Sequence, residues 1–133
     1  MLEKYPQDVR LVHKNFPLRN HKFAMNAARA ALAAHQQDKF WDYHQKLFEN
    51  CRQINAATFT ALATDLGLDL ERFNKDIHDP SIQRLIYRDF KEGQAAGIRG
   101  IPAVFINGKL LKNTSLPGFQ QMIDAELQKR KKR

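Results

Sequence analysis

The chain has 133 residues, of which 43% are hydrophobic, and a formal net charge of +8. This length and composition predict one compact domain with its own core and leave little room for two. No stretch reaches the apolar length of a membrane-spanning helix, and the first residues lack the basic and apolar segments of a secretory signal, so the chain as written is expected to be soluble and cytoplasmic.

The N-terminal part predicts a strand followed by two helices. Residues 8–16 mix β-branched and polar positions and stop at Pro17, which indicates a strand. Asn20 is placed to cap an alanine-rich helix over about 21–36, and Asp38 is placed to cap the next helix, where apolar residues recur at helical spacing. The expected apolar face of that next helix consists of Phe40, Trp41, His44, Leu47 and Phe48.

The central part predicts three further helices with recognisable ends. The first ends at Gly67, the residue type expected at a left-handed C-terminal cap. Asp69 starts a short second helix, and Asp79 caps a third, which has Pro80 at its first position and decays at two glycines. The apolar positions on these helices are Phe59, Leu62, Ala63, Leu66, Leu70, Phe73, Ile77, Ile82, Leu85, Ile86 and Phe90.

The C-terminal part predicts a hairpin and a helix. Residues 103–106 and 109–112 have strand character and are joined by an Asn-Gly pair, which strongly favours a two-residue hairpin turn. Ser115 or Thr114 is placed to cap the terminal helix. Five of the positive charges lie in residues 129–133, and we interpret them as a solvated helix end, with contact to nucleic acid or anionic lipid as the alternative.

Several kinds of catalytic chemistry have no matching motif. Neither of the two serines, Ser81 and Ser115, lies in a nucleophile elbow, and no glycine-rich nucleotide loop is present. The five histidines are scattered without ligand spacing, so we expect no metal and no cofactor. Cys51 is the only cysteine, which rules out an internal disulfide, and its place at the end of a helix favours a structural thiol over an activated one.

Several segments taken together resemble the DsbA-like branch of the thioredoxin superfamily. They are "YPQDVRLVHKNFPL", a histidine and an alanine-rich helix, "DKFWDYHQKLFEN", "GIRGIPAVFINGK" and a closing helix, in this order over nearly the whole chain. The resemblance implies an α/β, thioredoxin-like fold in a single domain over 1–133, with a helical insertion at about 20–97 and a C-terminal hairpin plus helix at about 101–131. It also implies thiol-disulfide oxidoreductase activity.

The resemblance assigns a role to the loop around the central proline. In this family the residue before the proline, Ile101 here, presents its backbone to an extended peptide or protein thiol beside the reactive cysteines, and the bond to Pro102 is cis. Gly100, Ile101 and Pro102 are therefore the expected substrate-binding residues, and the helices are expected to form a lid. The family's first strand and C-x-x-C pair have no counterpart in this sequence, so we expect an N-terminally truncated fold without catalytic residues or dithiol activity of its own.

Three interpretations of this missing segment stay open. The chain is a fragment of an ordinary oxidoreductase, or it is complemented by a strand from another chain or a swapped copy, or residues 9–15 and 103–106 pair directly in a rearranged sheet. A full-length parent with a leader would be periplasmic or extracytoplasmic. The alternative functions are a non-catalytic peptide-binding or assembly module and, less favoured, nucleic-acid binding through the "GIRG" loop, which a proline and a strand follow instead of the required helix.

Overall fold

The computed structural model describes residues 3–18, 23–98 and 100–131. These residues divide into two compact units, a helical unit over residues 14–96 and a second unit, here called the hairpin unit, from residues before 14 and after 96. The elements in chain order are α1 (Ala24–His35), α2 (Phe40–Glu49), α3 (Ala56–Asp65), α4 (Leu70–Ile77), α5 (Pro80–Ala95), β1 (Phe105–Ile106), β2 (Lys109–Leu110) and α6 (Leu116–Lys131). No helix in this described part of the chain is long and apolar enough to cross a membrane.

Five helices enclose the core of the helical unit. The side chains of α1 from Ala30 to Ala34, four of them alanines, are buried in this core. The rings of Tyr43 and Phe73 are fully buried with centroids 5.7 Å apart. The Tyr43 hydroxyl donates to the carbonyl of Phe59 at 2.9 Å, which satisfies its one buried polar atom. Burial raises the pKa of Tyr43 above the usual tyrosine range.

Most of the predicted helix ends are confirmed. The carboxylate of Asp69 accepts from the backbone N–H of Arg72 at 3.2 Å, and that of Asp79 accepts from the N–H of Ser81 at 2.9 Å, so both cap a helix. Pro80 occupies the first turn of α5, where its missing N–H costs no hydrogen bond. Gly67 has φ +71°, as a left-handed C-terminal cap requires. The predicted Asn20 cap lies outside the described residues.

The predicted strand over residues 8–16 is wrong. The sheet formed by the described residues consists of β1 and β2, and residues 8–16 are not part of it. The direct pairing of residues 9–15 with residues 103–106 is therefore not found either. A strand is stabilised by hydrogen bonds to a neighbour, and β-branched composition does not replace them. The segment instead runs as irregular chain, and Leu11 and Val12 are half exposed.

Two predictions around α2 are also wrong. Asp38 does not cap this helix, because it adopts φ +60° after the end of α1, while Lys39 occupies the N-cap position without a side-chain hydrogen bond. The apolar face is narrower than the spacing indicates. Trp41 and Phe48 are 49% and 66% exposed, and the fully buried ring is that of Tyr43, which the prediction left out.

The hairpin is confirmed, although each strand is two residues long. Phe105 lies opposite Leu110 in antiparallel register. The turn residues Asn107 and Gly108 have φ +49° and +80°, the positive values that a two-residue turn of this kind requires. One hydrogen bond extends the pairing beyond the strands, from the N–H of Leu111 to the carbonyl of Val104 at 2.8 Å.

Helix α6 anchors the rest of the hairpin unit. The Ser115 hydroxyl oxygen accepts from the N–H of Gly118 at 3.3 Å, so Ser115 rather than Thr114 serves the helix start. Ile123 and Leu111 are buried in this unit, as is Tyr5. The Tyr5 hydroxyl donates to Asp124 at 2.7 Å, which joins the start of the chain to the helix.

Candidate functional site

The three predicted substrate-binding residues lie on one exposed loop directly before β1. Gly100, Ile101 and Pro102 are all exposed, and the Ile101 side chain is 52% accessible. The peptide bond between Ile101 and Pro102 is cis. Gly97, where the chain leaves the last helical turn, has φ +82°, and only a residue without a Cβ adopts this angle at no cost. The loop therefore presents its backbone to solvent.

The outer edge of β1 continues this exposed backbone. Because the N–H of Leu111 bonds to Val104, the polar backbone groups of Val104 and Ile106 face β2. Because successive residues of a strand point their backbone N–H and C=O groups to alternate edges, the groups of Ala103 and Phe105 point toward the opposite edge. Within the described sheet no strand pairs with that edge. The loop and the edge can together hydrogen-bond an extended chain, the chemistry of β-augmentation.

The hairpin unit also exposes apolar side chains. A lone surface leucine is ordinary, but a group of large apolar residues in one small unit indicates a contact surface. Among the described residues of this unit, the large apolar side chains with substantial exposure are Leu11, Val12, Ile101, Phe105, Leu110 and Leu116. Such side chains suit an apolar peptide partner.

Ion pairs define the electrostatics at the turn end of the hairpin. Lys109 lies 2.6 Å from the carboxylate of Glu126 on α6. The hydrogen bond from Lys109, with smaller contributions from the Lys129 charge and from Asn107, holds the pKa of Glu126 below its usual value. One helical turn further along, Arg130 lies 3.2 Å from Asp8. Cationic side chains thus gather where the turn meets the end of α6.

The nucleophile candidates are one cysteine and two serines. Cys51 is exposed in the turn after α2, in the helical unit, and its N–H donates to the carbonyl of Phe48 at 3.3 Å. The hydroxyls of Ser81 and Ser115 donate to Asp79 and Asn113 at 2.9 and 2.6 Å, so both serve helix starts. Among the described residues, no three histidine, cysteine or acidic side chains are close enough together to hold a metal ion.

Sequence reasoning missed a buried polar pair in the helical unit. Asp89 and Asn15 are 5% and 7% exposed, and one oxygen of Asp89 accepts from both the backbone and the side-chain N–H of Asn15. Lys14 lies 3.8 Å from the other oxygen, and Phe16 stacks on Phe90 at 4.7 Å. Asp89 follows Ile86 by three residues, so its position on the apolar stripe of α5 was the available signal.

A protein-family model matches most of the chain. Residues 1–125 match the family model described as Thioredoxin. The probable disulfide bond formation protein D of Bacillus cereus is 30% identical over 133 residues, which covers 91% of this chain and 59% of that protein. The Na⁺/H⁺ antiporter NhaA 1 of Mycolicibacterium vanbaalenii is 31% identical over 107 residues, covering 78% of this chain and 17% of the antiporter. The chain thus spans less than two thirds of either relative.

Solved structures show the same fold. A thioredoxin-like oxidoreductase from Silicibacter pomeroyi DSS-3 superposes with a TM-score of 0.77 at 26% identity, over 96% of this chain and 73% of that one. The thiol-disulfide exchange protein alpha-DsbA2 from Wolbachia pipientis superposes with a TM-score of 0.76 at 21% identity, over 84% of this chain and 62% of that one. The expected thioredoxin-like fold is therefore confirmed, rich in helix and with a small sheet.

Proposed function

The chain belongs to the thioredoxin superfamily, among its DsbA-like thiol-disulfide oxidoreductases, and from that premise we propose that its loop Gly100–Pro102 docks an extended peptide or protein thiol for disulfide exchange. The observation that carries the proposal is the exposed backbone of this loop. Main-chain hydrogen bonds bind peptides of many sequences, which suits an enzyme with many protein substrates.

Disulfide exchange needs a thiolate as well as a docking loop. A thiolate sulfur attacks one sulfur of a disulfide, a new S–S bond forms, and the other sulfur leaves as a thiolate that takes up a proton. Residues 1–133 hold one cysteine, Cys51, and cannot form a dithiol pair among themselves. In this proposal the reacting pair is supplied from outside these residues, and the helical unit represents the inserted lid domain of the family.

The outer edge of β1 supports a second element of the proposal, a complementing strand, which would leave the loop itself to the peptide. Ala103 and Phe105 turn backbone donors and acceptors outward, and Leu11 and Val12 add exposed apolar surface to the same unit. A strand pairing with this edge would satisfy the backbone groups and cover apolar side chains. We propose that the strand comes from outside these residues or from a second copy of the chain.

A non-catalytic peptide-binding or assembly module is the second candidate function. The observation that favours it is that residues 1–133 contain a single cysteine. Such a module keeps peptide binding and performs no exchange. The two functions differ in one measurable outcome, because only the oxidoreductase forms a mixed disulfide with a docked thiol peptide when these residues are expressed in their complete reading frame.

Peptide binding is tested by nuclear magnetic resonance titration of the chain with an extended, cysteine-free apolar peptide. We expect amide shifts concentrated at residues 100–106, and we expect Ile101→Ser to weaken binding severalfold. Leu110→Ser is the matched control, because Leu110 is 53% exposed against 52% for Ile101 but lies on β2. Equal effects of the two substitutions, or shifts spread over the helical unit, would refute the docking role of the loop.

A further inference from the structure

We infer that the outward face of α5 is a docking surface for an acidic helix of a protein partner. This face, here called the basic face, consists of Arg84, Tyr87, Arg88 and Lys91, all of them exposed. It belongs to the helical unit, whereas the docking loop belongs to the hairpin unit. The inference therefore goes beyond the proposed function and does not depend on it.

Helical spacing places the four side chains of the basic face together. Residues three, four and seven positions apart share one face of a helix, and these are the separations within the group. The buried residues of α5 lie on the opposite face, and they are Ile82, Ile86, Asp89 and Gly93. The basic face therefore points away from the core of the helical unit.

The basic face gathers like charges at a cost to the helix. Arg84 and Arg88 are four residues apart and Arg88 and Lys91 are three apart, so the neighbouring cations repel each other. The acidic residue between positions 84 and 91 is Asp89, which is buried and accepts hydrogen bonds from Asn15. A helix face that serves only solvation usually alternates the two signs of charge. An anionic partner would relieve the repulsion, and this is the reason to assign one.

The carboxylates at the two ends of the basic face are already engaged. Asp79 caps α5, and its hydrogen bonds at the helix start, with a smaller contribution from the Arg84 charge, hold its pKa below the usual value. Glu92 lies 3.3 Å from Lys14 and 3.9 Å from Arg88, whose side chain stays 63% exposed. An exposed ion pair contributes little free energy, so the Arg88 guanidinium can exchange it for a partner carboxylate.

Tyr87 gives the basic face an aromatic centre. Its ring is 60% exposed, and the Lys91 ammonium lies 5.3 Å from the ring centroid. This cation–π contact holds the ring and the cation side by side. Tyrosine and arginine are enriched among the residues that contribute most to protein interfaces, because they combine a large contact area with polar groups. The ring is suited to pack on the aliphatic part of a partner's glutamates while the cations bind their carboxylates.

The spacing of the cations matches carboxylates on one face of a helix. Arg84, Arg88 and Lys91 are separated by four and three residue rises, so the row spans roughly 10.5 Å along α5. Carboxylates four and three positions apart on a partner helix cover the same length. Three carboxylates on one side of an extended chain would span roughly 13 Å. We therefore commit to a helical partner segment.

Nucleic acid fits the basic face less well than carboxylates do. Proteins that bind single-stranded nucleic acid combine cations with several aromatic rings on which successive bases stack. The basic face offers the single ring of Tyr87, and Lys91 already contacts it. The face therefore lacks the stacking surface that a row of bases requires.

The test measures binding of fluorescein-labelled helical peptides to the complete chain by fluorescence anisotropy. Two peptides share one composition of alanine, glutamine and glutamate and are matched in helicity by circular dichroism. The one-face peptide carries its glutamates three and four positions apart, and the scattered peptide distributes them around the helix. We expect the one-face peptide to bind about tenfold more tightly at low ionic strength, and the difference to shrink at high ionic strength. Equal affinities would overturn the assignment to an acidic helix.

Two pairs of variants locate the binding on α5. Arg88→Glu should weaken binding of the one-face peptide about fivefold, whereas Arg52→Glu, the same charge change at an exposed turn after α2, should retain it. Tyr87→Ala should weaken binding severalfold without a change of charge. Phe48→Ala, at a ring that is 66% exposed, should leave binding unchanged. Equal effects within either pair would overturn the role of the basic face.

Arg88→Gln separates binding from a structural role. Because this substitution relieves repulsion from Arg84 and Lys91, we expect the midpoint of thermal unfolding to stay unchanged or to rise while peptide affinity falls. A clear drop in the midpoint would show that Arg88 serves the fold and would overturn the inference. Tighter binding of a single-stranded oligonucleotide than of the one-face peptide would overturn the assignment to a protein partner. All of these outcomes leave peptide docking at the loop untouched.

Discussion

One carboxylate oxygen of Asp89 accepts two hydrogen bonds from Asn15, from its backbone N–H at 3.1 Å and from its side-chain amide at 3.0 Å. Both residues are buried, so each partner satisfies groups that would otherwise be desolvated without compensation. The pair holds the segment that enters the helical unit against α5.

Removing this carboxylate should destabilise the chain. In Asp89→Ala the two N–H groups of Asn15 lose their acceptor in a buried position, which costs about 1–3 kcal/mol of unfolding free energy. Glu92→Ala is the control on the same helix, because its pair with Lys14 is exposed and should contribute less than about 1 kcal/mol. Urea unfolding followed by circular dichroism measures both values. Equal losses would mean that burial of Asp89 has no energetic consequence.

Because the Tyr43 hydroxyl is buried, we expect the protein to lose stability at alkaline pH. Burial raises its pKa in the folded protein, so this contribution to stability is complete below the unfolded tyrosine pKa of about 10 and declines as the pH rises above it. We expect the urea midpoint of the native chain to fall between pH 9 and 11, roughly the range around that pKa. Tyr43→Phe should flatten this decline, whereas Tyr87→Phe, at a 60% exposed ring, should leave it unchanged.

Tyr43→Phe has a second consequence at neutral pH. The carbonyl of Phe59 loses its donor, so we expect this variant to be about 1–2 kcal/mol less stable than the native chain even where no tyrosine ionises. The alkaline effect is therefore read from the slope of the urea midpoint against pH, and the lost hydrogen bond from its value at pH 7. A slope identical to that of the native chain would refute the assignment to Tyr43.

The sequence predicted local structure better than it predicted which segments pair as strands. Gly67 and the Asn-Gly turn identify their conformations because few residues adopt positive φ, and Asp69 and Asp79 cap helices through atoms a few residues away. A strand depends on a distant partner, so the composition of residues 8–16 could not determine whether they pair. The family resemblance identified the loop at Ile101, whereas the ion pairs at the turn could not be predicted without the three-dimensional structure. Lys109 and Glu126 are seventeen positions apart in sequence and meet only in the folded unit.

The Asn-Gly turn predicts a residue-specific effect on the hairpin. Gly108 has φ +80°, so Gly108→Ala should cost about 1 kcal/mol because a Cβ is strained at this angle. Gly108→Asn should cost less, since asparagine tolerates the left-handed region. Urea unfolding followed by circular dichroism measures these costs, with Gly100→Ala as the control at a glycine whose φ is not positive and where a Cβ meets nothing within 4 Å. Similar costs for Gly108→Ala and Gly108→Asn would indicate that the turn angle is not what limits stability.

We expect the contact with Lys109 to be the main cause of the lowered pKa of Glu126. The hydrogen bond from Lys109 is the largest cause of the lowered Glu126 pKa, so Lys109→Gln should raise that pKa toward the ordinary glutamate value. Carboxyl carbon-13 chemical shifts followed over an acid titration measure it directly. Because a lowered folded pKa stabilises the protein above the unfolded pKa and the effect is lost as the pH falls, any stability difference between native chain and variant should shrink in acid. Lys112→Gln controls for the loss of one charge near the same hairpin, and an equal rise of the Glu126 pKa in both variants would show that a general field rather than the Lys109 contact controls it.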